Sequence, residues 1–177
     1  MRIISISILI FVLSVFSFGQ RSNSSGKPLA PTFSAVGMDG TTYDLEKLRG
    51  KVIVLNLWFV NCPNCLEEIK ALNSLVDEYK DRQDVVFLGL ATNKKPVLQQ
   101  FLSKNDFKYK VIPDATNIIV FKYGDENKNG EFNVAFPVHV VIDRDGRLVT
   151  KVQGIKGIES VKAELKNQFA ASGKAPQ

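Results

Sequence analysis

The sequence predicts an α/β domain of three layers, with helices on both faces of a central mixed β-sheet. Two apolar runs, residues 51–59 and 85–91, flank a stretch whose apolar residues recur every three or four positions. That pattern is typical of a strand–helix–strand unit with parallel strands. Two later apolar runs, 136–143 and 147–154, are joined by a tight-turn sequence, Asp-Arg-Asp-Gly, which indicates an antiparallel pair. The 177 residues suit one domain.

An N-terminal hairpin extension precedes the central unit. Residues 33–36 and 41–43 are strand-like and flank Asp39-Gly40, a dipeptide typical of tight hairpins. A short helical turn follows the hairpin, and Gly50 ends it. We therefore expect a two-stranded hairpin and a turn before the first long strand.

The first long strand and the helix after it are the most distinct elements. Residues 51–59 form a nearly continuous apolar run rich in β-branched and aromatic residues, as in a strand buried on both faces. The stretch 63–80 is an amphipathic helix with Pro63 in its first turn. Its apolar face consists of Leu66, Ile69, Leu72, Val76 and Tyr79.

The remaining elements follow the same alternation. Residues 85–91 form a second apolar strand, and Pro96 stands at the start of a second helix. A third, short helix is expected over 118–123. After the antiparallel pair, residues 158–170 close the domain as a helix. The order is hairpin, βαβα, then ββα, with no internal repeat.

The N-terminus indicates export. An apolar run over 3–18 follows Arg2, as in a secretory signal, and the small residue Gly19 marks a cleavage site. An uncleaved membrane anchor is the alternative, and the lack of a cysteine nearby excludes a lipoprotein anchor. In either case we expect a periplasmic or other extracytoplasmic location, where disulfides persist. The predicted parts are a signal peptide or anchor (1–19), a polar linker (20–30), the folded domain (31–170) and a flexible tail (171–177).

The charge of the chain excludes one class of partner. Its formal net charge is +5, from 23 Lys and Arg against 18 Asp and Glu, but the basic residues are scattered. No basic stripe with interleaved aromatic residues is present, so we expect no nucleic-acid partner.

The two cysteines, Cys62 and Cys65, lie where the first long strand gives way to the helix. Cys62 is placed at the N-cap, where unsatisfied N–H groups and the helix dipole favour a thiolate. Such settings lower a thiol pKa from about 8.5 to about 3.5–7.5. Cys65 is one turn further along the same face, within reach of Cys62. We therefore expect an exposed, nucleophilic Cys62 and a more buried, resolving Cys65.

Other interpretations of the pair are weaker. A loop this small is a poor structural staple, because closing it removes little chain entropy. Zinc needs four ligands in a structural site, and His139 is the single further soft ligand in the sequence. A copper carrier using Cys62, Cys65 and His139 stays open as an alternative. Covalent haem attachment requires His after the second cysteine, where Leu66 stands.

A calcium-like pattern lies in the segment 124–136. Asp125, Asn127, Asn129 and Gly130 resemble the start of a calcium-binding loop. The bidentate Glu expected at the twelfth place is replaced by Phe136. A polar, turn-rich loop is therefore the preferred interpretation.

Several motifs in sequence order resemble the TlpA/ResA-like thiol–disulfide oxidoreductases of bacterial envelopes, a redoxin-related branch of the thioredoxin superfamily. They are "FSAVGMDGTTYDLEKLRGKVIVLNLWF", the Cys-x-x-Cys that opens a helix, and "FPVHVVIDRDGRLV". The resemblance covers roughly residues 31–170. It departs from the family at Asn61, where Trp is usual, at the dipeptide Pro63-Asn64, and in the longer 124–136 segment.

The resemblance implies a thioredoxin fold and assigns roles to four residues. Cys62 would attack a protein disulfide and Cys65 would resolve the mixed disulfide. Pro137 would be a cis proline opposite the cysteines, shaping the edge where a client chain docks. Glu68 would lie beneath the disulfide and take the proton from Cys65.

The resemblance also implies partners. The protein would reduce disulfides of envelope proteins, apocytochrome c among them, with electrons from a membrane thiol transporter. It would need no cofactor and no metal, act as a monomer, and contact a membrane only if the N-terminal segment is kept. Trp58 and Phe59 are expected to pack near the site, and His139 to be a hydrogen-bonded structural histidine. The alternative class is a binding module without catalytic activity.

Overall fold

The computed structural model describes residues 26–170. Within that range nine strands and four helices follow one another along the chain. They are β1 (Ser34–Val36), β2 (Thr42–Asp44), β3 (Val52–Trp58), α1 (Pro63–Glu78), β4 (Val85–Ala91), α2 (Lys95–Leu102), β5 (Lys110–Ile112), α3 (Thr116–Tyr123), β6 (Asp125–Glu126), β7 (Phe132–Asn133), β8 (Val138–Ile142), β9 (Leu148–Gln153) and α4 (Gly157–Ala170).

The central sheet has five strands in the order β5-β4-β3-β8-β9. β3, β4 and β5 run parallel, whereas β8 is antiparallel to both β3 and β9. The predicted mixed sheet and the predicted N-terminal hairpin, β1 with β2, are therefore confirmed. β3 lies in the middle, and all seven of its residues are buried, as expected for a strand covered on both faces.

Two apolar clusters lie on opposite faces of this sheet. Because side chains alternate along a strand, Val54 and Trp58 of β3 face the larger cluster, with α1, α2 and α4. Leu55 and Leu57 face the smaller cluster, with α3 and the β1–β2 hairpin. The three-layer arrangement is thus as predicted, and the residues of β3 on the α1 face point toward the helix that the cysteines begin.

Two features of the fold differ from the prediction. β5 was not expected, because its three residues carry an apolar pattern too short to distinguish from a loop. Among the described strands, its partner is β4. The segment 124–136 is a small hairpin, β6 with β7, rather than an irregular loop.

The hairpin also uses the side chains of the calcium-like pattern for other bonds. The carboxylate of Asp125 pairs with Lys151 and Gln153 of β9. The side-chain oxygen of Asn127 accepts hydrogen bonds from the backbone N–H groups of Asn129 and Glu131, which closes the turn. The bonds of Asp125 hold the hairpin to the sheet, and those of Asn127 close its turn. The first two ligands of the calcium interpretation are therefore used for other bonds.

The predicted linker is partly wrong. Leu29 bridges to Arg147, Ala30 N–H donates to Gly146 O (2.9 Å), and Leu148 N–H donates to Pro28 O (2.9 Å). Ala30 is buried. Residues 27–30 therefore belong to the folded domain, fastened to the β8–β9 turn.

Two predicted segments, 1–19 and 171–177, lie outside the described residues. Among residues 26–170, no helix has both the length and the apolar character required to cross a bilayer.

Candidate active site

The cysteines lie at the point where β3 passes into α1. Cys62 is the N-cap of α1, with extended backbone (φ −88°, ψ 107°), and Pro63 is in the first turn. The turn between strand and helix is held by Val60 N–H, which donates to the side-chain oxygen of Asn93 (2.8 Å). Cys62 N–H donates to Phe59 O (3.1 Å). The position of Cys62 is therefore determined by bonds on both sides of the turn.

The two cysteines form a disulfide. Their Cα atoms are 5.2 Å apart, and the bridge spans a sequence separation of three. Cys65 N–H donates to Cys62 Sγ at 3.2 Å. This N–H is one of the unsatisfied groups of the first helical turn, and it would favour a negative charge on the same sulfur after reduction.

The exposed position expected for Cys62 is wrong for this oxidised form. Cys62 is 4% exposed and Cys65 is 2% exposed, because the sulfurs are bonded to each other and both residues join the larger apolar cluster. Asn61, Pro63 and Asn64 beside them are exposed. Cys62 is not sealed among apolar groups, since a backbone N–H points at its sulfur.

Glu68 lies one turn beyond Cys65 on the buried side of α1 and is 2% exposed. Asn56 of β3 donates its amide N–H to Glu68 Oε1 at 3.0 Å. The ring nitrogen Nε2 of His139, on β8, is 3.1 Å from Glu68 Oε2. Asn56 and His139 are paired neighbours in the sheet, so strand register brings them together under α1.

The Phe136–Pro137 peptide bond is cis, as the resemblance implies. The ring of Phe136 contacts that of Phe59, with centroids 5.2 Å apart in an edge-to-face arrangement. Phe59 is three residues before Cys62, so this contact joins the segment of Pro137 to the cysteine turn.

Residues 24–167 match the Redoxin family, which is most of the chain. This protein belongs to the Redoxin family.

Relatives of the chain include the "Thiol-disulfide oxidoreductase ResA" of Bacillus thuringiensis subsp. konkukian, 26% identical over 137 residues, covering 77% of this chain and 75% of the relative. The "Soluble secreted antigen MPT53" of Mycobacterium bovis is 26% identical over 119 residues, covering 67% of each chain. A solved thiol:disulfide interchange protein of the thioredoxin family from Chlorobium tepidum has a TM-score of 0.62 at 22% identity, covering 78% of this chain and 95% of that chain. That likeness shows the thioredoxin fold.

Taken with the close cysteine pair, these findings identify this redoxin as a thiol–disulfide oxidoreductase with the thioredoxin fold. The resemblance predicted from the motifs is confirmed.

The aromatic residues expected near the site divide between two roles. Trp58 is in the core, where its ring packs against Phe101 and Phe107 at centroid distances of 5.4 and 5.0 Å. Phe59 is only partly buried, and its ring contacts that of Phe136, the residue before Pro137.

The copper alternative loses its third ligand. His139 is 0% exposed, and its two ring nitrogens face Glu68 and Asn56 rather than the sulfurs. Over residues 26–170, no cluster of three or more His, Cys, Asp or Glu side chains is arranged to hold a metal ion.

Sequence reasoning did not identify Asn56, which joins Glu68 to His139. The signal was available, because an Asn inside a seven-residue strand that is otherwise apolar must find a buried hydrogen-bond partner. His139 was assigned a structural role, and the same argument would have connected it to Glu68.

Proposed function

We propose that this redoxin is an extracytoplasmic reductase of protein disulfides. The observation that carries the proposal is the Cys65 N–H bond to Cys62 Sγ at the start of α1, with the buried carboxylate of Glu68 one turn beyond. An N–H group aimed at the sulfur favours a thiolate, and a carboxylate beside the second cysteine can accept its proton.

The reaction uses Cys62, Cys65 and Glu68 in sequence. The Cys62 thiolate attacks a client disulfide, forming a mixed disulfide, and the first client sulfur leaves as a thiolate that takes a proton from water. Cys65 then gives its proton to Glu68 and attacks Cys62 Sγ. The bond from Cys62 to the client breaks, and the second client sulfur leaves with the electron pair and takes a proton from water. Two electrons pass from the cysteines to the client, and the Cys62–Cys65 disulfide forms.

Pro137 shapes the edge on which the client chain docks in this scheme. The Phe59–Phe136 contact supports the role, since it holds the segment of Pro137 beside the cysteine turn. An extended client segment could add to a backbone edge there, as extended peptides do in other recognition sites.

Electrons would arrive from a membrane thiol transporter, with apocytochrome c and other envelope proteins as clients and the redoxin acting as a monomer. The predicted N-terminal signal supports export, and one relative is described as soluble and secreted. We also propose the limits of the parts of the chain. They are a leader over 1–19, a folded part that begins at residue 27 and a tail over 171–177.

The direction of the reaction is tested by equilibrating the protein with glutathione buffers and measuring the oxidised fraction of the pair. A reductase should have a potential well below the ~−120 mV of a strong oxidant. A value near that limit would make the protein an oxidase of client thiols.

The assignment of the cysteines is tested by trapping. Cys65→Ser should accumulate a mixed disulfide with a synthetic peptide that contains one disulfide, because the resolving thiol is missing. Cys62→Ser is the matched control and should form none. Equal trapping by the two variants would contradict the roles assigned here.

A further inference from the structure

The carboxylate of Glu68 is bonded on both oxygens by side chains that are themselves buried. Asn56 is 1% exposed and His139 is 0% exposed. The three side chains come from α1, β3 and β8, so their meeting depends on the tertiary fold rather than on local sequence. Such an arrangement gives each oxygen of the carboxylate a buried hydrogen-bond partner.

The donors and acceptors fit one protonation pattern. An ionised carboxylate only accepts hydrogen bonds, so the amide nitrogen of Asn56 must face Glu68. The same nitrogen is 3.4 Å from His139 Nδ1, a contact that fits an unprotonated Nδ1 accepting from the amide. A neutral imidazole then has its proton on Nε2, directed at Glu68 Oε2. Asn56 thus selects the tautomer of His139 that donates to Glu68.

The neighbouring elements place neutral groups against Glu68 and His139. Gly157, at the start of α4, lies against the His139 ring: a Cβ there would be 2.6 Å from Cδ2. Val152 of β9 is the sheet partner of His139. Tyr109, next to β5, is the nearby titratable group: burial raises its pKa, and the charge of Glu68 adds to the rise, so the phenol stays protonated. No room for a larger side chain remains beside the ring.

We propose that His139 is a positioning residue for the resolving step: together with Asn56 it holds Glu68 as an ionised carboxylate that can accept the proton of Cys65. This inference rests on the proposed role of Glu68. Burial penalises a carboxylate charge, whereas hydrogen bonds donated to the charged form favour it. Without the His139 donor, Glu68 would stay protonated up to a higher pH, and below that pH it could not accept the proton of Cys65.

A kinetic test distinguishes the hydrogen bond that His139 donates from the volume that its ring occupies. His139→Leu removes the donor, whereas His139→Gln keeps an amide N–H at a similar place. The reduced proteins are mixed with saturating synthetic peptide disulfide, and the first-order release of peptide thiol is followed against pH. In His139→Leu, the pH of half-maximal release should rise by about 1–2 units, the equivalent of one hydrogen bond to a charged group. His139→Gln should stay close to the wild type.

A second set of variants, built on Glu68→Gln, distinguishes a positioning role of His139 from a general loss of structure. In Glu68→Gln, which has no carboxylate to hold, adding His139→Leu should leave the pH profile unchanged. The second-order attack of Cys62 on the peptide should be equal in all variants. An unshifted profile in His139→Leu, or the same shift in the Glu68→Gln background, would overturn the inference.

The wild type supplies a readout that needs no variant to fold and no catalytic activity. The chain contains one histidine, so the imidazole ¹⁵N signals of untagged oxidised protein belong to His139. They should show a protonated Nε2 and an unprotonated Nδ1. The opposite tautomer would overturn the inference even if the protein is an active reductase. Failure of the wild type to reduce the peptide would instead remove the proposed function.

Discussion

Each end of the central sheet holds a carboxylate, but the hydrogen-bond partners of the two carboxylates differ. At the cysteine end (Asn56, Cys62, Cys65, Glu68 and His139), Glu68 is buried and bonded by Asn56 and His139. At the arginine end (Arg82, Asp84, Arg144 and Phe169), Asp84 lies beside the first residue of β3 and is bonded by two arginines.

At the arginine end, two guanidinium groups neutralise the carboxylate of Asp84. Arg82 makes two bonds of 2.9 Å to Asp84, and Arg144 adds a third of 2.8 Å. Both guanidinium groups lie over the Phe169 ring, 3.9 and 4.9 Å from its centroid. This end is partly solvated and its groups are charged at neutral pH, so we expect it to contribute to stability.

With His139 neutral, as we infer above, an ionised Glu68 has no cation among its hydrogen-bond partners. A proton is therefore the natural neutralising species, and a proton is what thiol–disulfide exchange must move. On the function proposed above, the arginine end would support the fold and the cysteine end would support the chemistry. Substitutions at the two ends should separate stability from rate.

The largest effect should come from Phe169→Ala at the arginine end. The ring is fully buried and packs against Tyr79 as well as both arginines. We expect the free energy of unfolding, measured with urea, to fall by about 3–5 kcal/mol. The exchange rate per folded molecule should not change. Phe121→Ala, at an aromatic residue that is 65% exposed, is the matched control and should change stability by about 0.5 kcal/mol or less. A changed exchange rate would show that the two ends are coupled.

The next effect should come from Glu68→Gln at the cysteine end. We expect the resolving step to slow by roughly 10²-fold, the usual contribution of a positioned general base, with attack by Cys62 preserved. Glu67→Gln, at the exposed residue immediately before it, is the matched control and should retain the wild-type rate. Equal rates in the two variants would remove Glu68 from the mechanism.

The smallest effect should be that of Asp84→Asn. Hydrogen bonding from Arg82, against an opposing effect of burial and with help from Arg144, lowers the pKa of Asp84 to about 2. Since this lies below the unfolded value near 3.9, the stabilisation is present above about pH 4 and is lost as pH falls toward 2. Asp84 is 37% exposed, so screening limits the loss in Asp84→Asn at pH 7 to about 1 kcal/mol.

The difference in unfolding free energy between wild type and Asp84→Asn should therefore shrink on acidification from pH 4 to 2. Asp77→Asn, which breaks the exposed pair of Asp77 with Lys108, serves as control and should cost a few tenths of a kcal/mol. A difference that grew on acidification would contradict the assigned pKa shift.

Much of the cysteine end could be predicted from sequence because its signals are local. A strand, a Cys-x-x-Cys pair and a proline in the first turn are consecutive in the chain, and helical spacing places Glu68 below Cys65. The partners of Glu68 are 12 residues before it and 71 residues after it, and sheet register alone makes them adjacent. Spacing along one helix cannot reveal contacts of that kind.

The errors have physical causes as well. The exposure of Cys62 was inferred from the thiolate form, whereas the disulfide turns its sulfur toward Cys65. Residues 27–30 were assigned to the linker because they follow a polar Ser/Gly stretch, and backbone hydrogen bonds to a distant turn leave no mark on composition. β5 was missed since three residues cannot establish a period.

The bonding of residues 27–30 to the β8–β9 turn determines where the domain would be tethered. That turn lies beside the start of β3, since Ile142 pairs with Ile53, whereas Cys62 follows the other end of the same strand, roughly 20 Å away along seven residues. If residues 1–19 are kept as a membrane anchor, the arginine end would lie nearer the membrane and the cysteine end would face away from it. Client chains could then reach the disulfide without passing the point of attachment.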